Sequence, residues 1–330
     1  MKISVLIDNF NYGVFLRQTI DSVLIQTYPD IEVVVVDDGS TDDSAEILRS
    51  YGDQIKPVFQ ENSGQGVAFY QGFIHSTGDI IMLLDADDYL HPEAAAKIAA
   101  AWKPETGALF HRLCAVDKDG RKLGYSLPDQ RLELSTGNLV PYMLTHAGRC
   151  NVPSTSGMAF RRDILGQVLP MPPEFNRRGP DGYLRVSVPL LATVAALDET
   201  LAYYRIHGAN DHAGGTARRF ITRKIMERRK ELREREYRQF RKLVEERGLE
   251  IAQSASPCNA DDHFEELLLD RSGAQRMDTT AYWKLVWTIL GQMREEKMPL
   301  KRRLRQGALA FLVAFGPKAI LRRVYPNLFG

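Results

Sequence analysis

The first hundred residues alternate between short apolar runs and longer segments whose apolar residues recur at helical spacing. Four runs predict β-strands, over residues 2–8, 31–36, 54–60 and 80–84. The run at 80–84 is continuous and partly β-branched, as expected of a strand buried on both faces. The run at 54–60 is the weakest of the four.

Four segments that follow these strands predict helices, over residues 15–25, 42–50, 66–76 and 92–102. The second has acidic residues in its first turn, which suits the positive end of a helix dipole, and the fourth has a proline near its start, where helices accept it. Strands and helices that alternate at such short intervals predict a mostly parallel sheet flanked by helices. We therefore expect an α/β fold.

Two of the predicted strands end in carboxylates. These are Asp37 and Asp38 after the second strand, and Asp85, Asp87 and Asp88 after the fourth. Ligands of parallel α/β sheets bind outside the carboxyl ends of the strands, so we expect both clusters to face one crevice. Asp85 and Asp87 can project to the same side of an extended chain and bind one divalent cation. An acidic loop that caps a core strand is the structural alternative.

An ordered set of short motifs resembles the family 2 glycosyltransferases, enzymes of the Rossmann-like GT-A fold that use nucleotide sugars as donors. The matching motifs are Ile3–Ile7, Ser22–Pro29, Val35–Asp42, Glu61–Gly66, Gly78–Asp79, Leu84–Asp88, Ser156–Arg162, Asp181–Leu184 and Tyr203–Asn210. Their order and spacing agree across residues 2–93, and the resemblance extends to residue 210. Each motif alone is weak, whereas the ordered set is specific.

The resemblance implies roles for the two acidic clusters. Asp37 and Asp38 would bind the nucleoside of a uridine-type donor, because carboxylates accept hydrogen bonds from the base and the ribose. Asp85 and Asp87 would contact the donor ribose and a Mn²⁺ or Mg²⁺ ion that bridges the diphosphate, since hard oxygen ligands suit those ions. For Asp38, a turn that caps the following helix remains the alternative.

The resemblance places the catalytic base at Asp181, where it would accept a proton from the acceptor hydroxyl during a single inverting displacement. An N-cap is the alternative for this residue, and Pro180 stands where the family usually has an acidic residue. His207 would join Asp87 at the metal or the diphosphate. Arg205 would pair with phosphate, or else pack and bridge locally.

Two further residues belong to the implied nucleotide-sugar site. Ile7 is the last residue of the Ile3–Ile7 motif, and Phe10 would flank the base or, equally, belong to the core. Phe69 and Tyr70 stand where many members of the family have a basic residue and an asparagine. The resemblance therefore indicates the type of donor, a nucleotide sugar, more strongly than it indicates which nucleotide sugar is used.

Composition limits the remaining choices. With 330 residues, 44% of them apolar, the chain can form one catalytic domain (1–215) and an appendage (216–330). The net charge of +1 gives no support for nucleic-acid binding. Three widely spaced cysteines indicate reduced thiols, and we find no secretory signal and no apolar run of the roughly 20 residues that span a bilayer. We therefore expect a cytoplasmic protein.

Residues 216–330 predict a helical extension. Residues 218–247 predict a long basic amphipathic helix, and residues 262–296 predict two further helices. The basic–apolar–basic segment 301–323 suits either a peripheral anchor on the inner face of the cell membrane or docking onto the protein itself. The same helices offer a surface for a homo-oligomer.

The sequence as a whole predicts an inverting glycosyltransferase. It would transfer a sugar from a nucleotide sugar, with UDP as the expected nucleotide, to a glycan or lipid-linked acceptor in cell-surface polysaccharide or glycan synthesis. The alternative is a catalytically silent relative that binds sugar nucleotides or serves as an assembly module. The combination of Asp85, Asp87, Asp181 and His207 favours the enzyme.

Overall fold

The computed structural model describes residues 1–207, 223–253 and 284–289, together with the single positions 255, 263, 268, 308, 313, 320 and 321. The chain divides into two compact units. The first comprises Met1–Asn210 and Gln239–Ala252, and the second comprises Asp211–Arg238 and Gln253–Gly330. All predicted site residues belong to the first unit. The domain boundary expected after residue 215 lies outside the described residues.

The elements of the first hundred residues agree with the predicted ones to within two residues at each end. They are β1 (Ile3–Asn9), α1 (Gly13–Leu24), β2 (Ile31–Asp37), α2 (Ser44–Ser50), β3 (Lys56–Phe59), α3 (Gln65–His75), β4 (Ile80–Asp85), β5 (Tyr89–Leu90) and α4 (Ala94–Ala101). The two-residue strand β5 was not predicted.

The elements between α4 and the long helix were not predicted from the sequence. They are β6 (Thr106–Asp117), β7 (Lys122–Leu127), α5 (Val140–Thr145), β8 (Met158–Arg161), α6 (Arg162–Leu165), α7 (Pro173–Asn176), α8 (Pro180–Ser187) and β9 (Thr193–Ile206). The long helix itself is α9 (Arg223–Glu246). Helix α9 falls within the helix predicted over 218–247. Of the helices predicted over 262–296, residues 263, 268 and 284–289 are described, and all of them are helical.

The nine strands that the structure describes form one sheet with the order β3–β2–β1–β4–β8–β6–β9–β5, and β7 pairs with β6. Strands β3, β2, β1 and β4 are mutually parallel, and β6 is parallel to β9. Strand β8 is antiparallel to both β4 and β6, while β5 and β7 are antiparallel additions. The α/β sheet flanked by helices is therefore confirmed, with antiparallel pairing confined to its second half.

Strand β1 is covered by a helix on each face. Ile3, Val5 and Ile7 lie in one buried cluster with residues of α1. On the other face α3 comes so close that a Cβ on Gly72 would lie 3.3 Å from Leu6 Cδ1. Since side chains alternate along a strand, Asp8 shares the face of Leu6 and lies toward α3. This packing directs the polar end of β1 to the start of α3.

No helix among the described residues is long and apolar enough to cross a bilayer. Of the described cysteines, Cys114 is a free thiol, and Cys150 Sγ lies 3.8 Å from the Arg185 carbonyl oxygen. Apart from four single positions, the basic–apolar–basic segment 301–323 lies outside the described residues.

Candidate active site

The predicted acidic residues lie side by side because three parallel strands end at the same edge of the sheet. In the β1–β4 pair Asp8 is opposite Asp85, and in the β1–β2 pair Asn9 is opposite Asp37. The Gln65 side chain, in the first turn of α3, donates a hydrogen bond to Asp85 Oδ1 at 2.9 Å. The expectation that both clusters face one crevice agrees with this arrangement.

Asp85, Asp87 and Asp88 form a tight carboxylate cluster, with one oxygen of each lying within 4.8 Å of the others. Asp88 is fully buried. Its Oδ2 accepts a hydrogen bond from Ser156 Oγ at 2.6 Å, and its Oδ1 accepts one from the Arg205 backbone N–H at 2.9 Å. Both oxygens of Asp88 are thus used by the protein, so Asp85 and Asp87 are the better candidates for binding a cation.

Burial and mutual repulsion perturb the protonation of these carboxyl groups. Burial, followed by the charges of Asp8, Asp88 and Asp87, raises the pKa of Asp85 well above its usual range. Burial and the charge of Asp87 raise the pKa of Asp8 to about 8. Asp8 Oδ1 is also buried without a hydrogen-bond partner among the described residues. A concentration of hard oxygen donors that repel one another fits a divalent cation.

His207 lies beside this cluster, as predicted. Its Nε2 is 2.9 Å from Asp87 Oδ2, and its side chain is 6% exposed. The ring packs against Phe15 and Tyr12, with centroid distances of 4.9 and 5.5 Å. These contacts fix the plane of the imidazole, so the Asp87–His207 pair presents a carboxylate and an imidazole together.

Asp181 lies in the first turn of α8, which begins after Gly179 in a left-handed conformation (φ 73°). It is partly exposed, and its charge contributes to raising the pKa of Asp85. Asp181 is therefore close enough to the carboxylate cluster to interact with it electrostatically. A partly exposed carboxylate such as this can accept a proton.

Asp37 and Asp38 are both buried, but they have different surroundings. Asp37 accepts hydrogen bonds from Asn9 Nδ2 at 2.8 Å and from the Ser40 backbone N–H at 3.3 Å. Asp38 accepts three, from Gln60 Nε2 at 2.6 Å and from the backbone N–H groups of Ser63 (2.7 Å) and Gly64 (2.8 Å). Asp38 thus holds the loop that leads into α3, and not the start of α2.

Ile7 and Phe10 also differ in exposure. The Ile7 side chain is 1% exposed within the core, so a contact between this residue and a donor would come from its main chain. Phe10 is 44% exposed at the end of β1, and its ring is therefore not part of the core. The exposed ring offers a flat apolar surface beside Asp37.

Arg205 is 2% exposed and is directed toward protein atoms. Its guanidinium donates hydrogen bonds to the Asp87 and Lys118 carbonyl oxygens and to Gln18 Oε1. These contacts match the alternative of local packing and bridging. The expectation that Arg205 pairs with a phosphate is therefore corrected, because the buried guanidinium presents almost no surface to a ligand.

Sequence reasoning missed Asp8 and Gln65 as site residues. Asp8 carried the same signal as Asp85, a carboxylate directly after a buried run, but it was a single residue without a motif. Gln65 carried no signal, because its role depends on α3 packing over the ends of β1 and β4. A separate cavity of about 690 Å³ lies against β9, with Lys97, Arg112 and Lys122 in its lining, and none of the predicted site residues lines it.

Comparison with known proteins agrees with this geometry. The family model described as glycosyl transferase family 2 matches residues 4–169. An uncharacterised glycosyltransferase of Nostoc sp. is 40% identical over 217 residues, which are 64% of this chain and 67% of that protein. One of Rickettsia typhi is 31% identical over 148 residues, or 44% and 46% of the two chains. The matched part is thus about two thirds of the first relative and under half of the second.

Solved structures of low sequence identity share the fold. TarS of Staphylococcus aureus, solved with UDP, has a TM-score of 0.55 at 17% identity, covering 100% of this chain and 90% of that chain. A mannosyltransferase of Pyrobaculum calidifontis, solved with GDP-Man and Mn²⁺, has a TM-score of 0.51 at 17% identity, covering 99% and 84%. The fold is that of the GT-A glycosyltransferases, and the chain belongs to glycosyl transferase family 2.

Proposed function

We propose that this protein transfers a sugar from a nucleotide-sugar donor to an acceptor hydroxyl group. The observation that carries the proposal is the cluster of Asp85 and Asp87 with His207 in contact with Asp87, supported by the contribution of Asp181 to the raised pKa of Asp85. A silent binding module would have no need for a carboxylate in the position of Asp181.

Asp85 and Asp87, together with His207, are the residues that would hold a Mn²⁺ or Mg²⁺ ion. Their oxygen and imidazole donors fit either ion. When bound, the ion would stabilise the negative charge of the departing nucleoside diphosphate. The protein itself orients these donors. Gln65 holds Asp85 by a hydrogen bond, and the ring contacts of His207 hold the imidazole that contacts Asp87.

The donor we propose is a UDP-sugar. Asn9 Nδ2 fixes Asp37 Oδ1, so the Asp37 carboxylate is held at the end of β2, where it can accept hydrogen bonds from a base N–H or a ribose hydroxyl. Phe10 would cover one face of the base. Asp38 would serve the same pocket indirectly, by holding the loop before α3.

Asp181 is the proposed general base. Its carboxylate takes the proton of the acceptor hydroxyl while that oxygen forms a bond to the anomeric carbon. The bond from the anomeric carbon to the diphosphate breaks on the opposite face, with its electron pair leaving on the diphosphate oxygen. A single displacement of this kind inverts the anomeric configuration and requires no nucleophile from the protein.

The acceptor we propose is a glycan or a lipid-linked sugar used in cell-surface polysaccharide synthesis. The support is the basic–apolar–basic segment 301–323, whose composition suits contact with anionic lipid on the inner face of the cell membrane. This part of the proposal rests on the sequence alone.

Thermal-shift screening with nucleotide sugars tests the donor. We expect UDP compounds to raise the Tm in the presence of Mn²⁺, and we expect EDTA to abolish the shift. The Asp87→Asn variant is the control and should show no shift. If no nucleotide changes the Tm of the wild-type protein, the proposed function is wrong.

A second assay separates an enzyme from a silent binding module. Release of UDP from the UDP-sugar that gives the largest shift is measured for the wild type and for Asp181→Asn. An enzyme releases UDP in an Asp181-dependent manner, whereas equal background release from both proteins would support the silent module.

A further inference from the structure

Arg205 is a fully enclosed arginine at the end of β9, next to the candidate active site. Its backbone N–H donates to Asp88 Oδ1 at 2.9 Å, and its Nε donates to the Asp87 carbonyl oxygen at 2.8 Å. His207, two residues further along the chain, contacts Asp87 Oδ2 at 2.9 Å. The turn that carries Asp87 is therefore attached to the end of β9 at three points.

The other end of the guanidinium attaches the same turn to two distant parts of the fold. Nη1 donates to the Lys118 carbonyl oxygen at 2.9 Å, in the turn between β6 and β7. Nη2 donates to Gln18 Oε1 at 2.6 Å, in α1. Arg205 thus joins three segments that are far apart in sequence, and the planar fork of an arginine is suited to such simultaneous bonds.

Aromatic rings hold the guanidinium on two sides. Its Cζ lies 4.6 Å from the centroid of the Phe15 ring and 5.2 Å from that of Tyr89. Phe15 also packs against the His207 ring at 4.9 Å, and Tyr89 stacks on Tyr203 at 4.5 Å. The arginine and the imidazole that contacts Asp87 are therefore packed against the same phenyl ring.

We propose that Arg205 is a positioning residue that sets the metal affinity of the Asp87–His207 pair without contacting the metal or the donor. The Arg205 side chain fixes the main chain of Asp87 by its hydrogen bond to the Asp87 carbonyl oxygen. Its positive charge offsets the repulsion within the carboxylate cluster. Residues that orient metal ligands in this way affect metal affinity by roughly 10- to 100-fold. The inference rests on the proposed function in one respect, namely that the pair binds a metal.

The same sheet contains a matched arginine that serves as a control. Arg112 in β6 is 3% exposed, and its guanidinium donates to the carbonyl oxygens of Pro128, Asp129 and Leu132 and to Asp198. It resembles Arg205 in burial and in its bonds to main-chain carbonyls, but it does not contact the turn that carries Asp87. Replacing Arg112 therefore reports the general cost of losing a buried arginine.

The first experiment titrates Mn²⁺ at a fixed concentration of UDP and records the Tm of the wild type, Arg205→Lys and Arg112→Lys. We expect both variants to have a lower Tm than the wild type. Only Arg205→Lys should need more Mn²⁺ for the half-maximal shift, by roughly tenfold. Because Gln18 is exposed, Gln18→Ala should fold normally, and it should change the Mn²⁺ requirement in the same direction by a smaller factor.

The second experiment needs no ligand. Hydrogen exchange of the backbone amides at 86–90 is compared among the same proteins. The Ala86 and Asp88 N–H groups are bonded to the Asp8 and Asp85 carbonyl oxygens. Loss of the Arg205 contacts should speed exchange at these positions, while Arg112→Lys should leave it unchanged.

The outcomes are distinguishable. An equal Mn²⁺ requirement in Arg205→Lys and Arg112→Lys overturns the inference, as does unchanged exchange at 86–90 in Arg205→Lys. If Arg205→Lys weakens UDP binding measured without Mn²⁺, the residue contacts the donor and the inference is also wrong. If the wild type binds neither Mn²⁺ nor UDP, the proposed function fails, and the exchange experiment alone then decides the role of Arg205.

Discussion

The carboxylates of the site differ in what their replacement should change. We expect Asp181→Asn to keep its affinity for the donor and to lose transfer, because the amide cannot accept the proton of the acceptor hydroxyl. Asp87→Asn should lose both, since it removes charge from the proposed metal site and alters the contact with His207. The measurement is UDP-sugar binding by calorimetry beside a transfer assay. Normal transfer by Asp181→Asn would exclude this residue as the base.

His111 gives a prediction about pH. It is completely buried in β6, and burial lowers its pKa to about 4, from 6.5 for an ordinary histidine. Between these two values the unfolded chain binds more protons at this histidine than the folded chain does, so the contribution of His111 to stability falls as the pH is lowered from 6.5 toward 4. The full difference corresponds to roughly 3 kcal/mol.

The test is urea unfolding of the wild type and His111→Phe at pH 7 and pH 4.5. The free energy of unfolding should fall less between these pH values in the variant, because phenylalanine has no proton to bind. An equal fall in His111→Phe and the wild type would contradict the prediction.

Among the helices, the start of α3 depends on a glycine. Gly64 has φ 97°, and a Cβ there would lie 2.5 Å from the Asn176 carbonyl oxygen in α7. Gly52 also has a positive φ, 55°, but no described atom lies within 4 Å of its Cβ position. We expect Gly52→Ala to cost about 1 kcal/mol, the usual penalty for the left-handed conformation, and Gly64→Ala to cost clearly more.

The two variants should also differ in activity. In Gly64→Ala the added methyl group would displace α7 from α3. This displacement disturbs the loop that Asp38 holds and the segment that leads to Asp181, so the variant should have a lower kcat as well as a lower Tm. Gly52→Ala should change neither kcat nor KM. Equal Tm values for the two variants would show that the close contact with Asn176 has no energetic consequence.

The sequence predicted the elements of residues 1–102 closely, because each strand there is a continuous apolar run and each helix a regular apolar period. Strands β6 and β9 have neither property. His111 and Arg112 interrupt β6, and Asp198, Glu199 and Thr200 lie in the middle of β9. Their pairing shifts register between His111 and Leu113, so a regular alternation of side chains is lost. These polar residues form tertiary contacts that no local pattern reports.

The site shows the same limit. Asp85, Asp87 and His207 were predicted from motifs, and the structure places them together. The environment of Arg205 was not predictable, because its partners Gln18, Asp87 and Lys118 are brought together only by the completed sheet. A motif identifies a residue type at a position, whereas the direction of a side chain is decided by its packing.

For the molecule as a whole, the proposed membrane contact can be tested by co-sedimentation with anionic liposomes. We expect the chain of residues 1–330 to pellet with the vesicles and a chain ending at residue 299 to remain in solution. The apolar residues of 301–323 would enter the lipid interface, while the flanking basic residues are attracted to its charge. Neutral vesicles and high salt are the controls, since both weaken the attraction. Equal pelleting of the two chains would remove the idea.

Strand β9 lies inside the sheet, between β6 and β5, yet it is the last in sequence of the nine strands that the structure describes. During synthesis the four carboxylates at Asp8, Asp37, Asp85 and Asp87 leave the ribosome more than a hundred residues before Arg205 and His207. A nascent chain that has not yet added β9 therefore has the carboxylates of the site. It lacks the imidazole of His207 and the Arg205 side chain that holds the turn carrying Asp87. The site would therefore become able to bind a metal ion and a nucleotide only late in the translation of this unit. A ribosome-stalled chain ending before residue 200 should be unable to bind them.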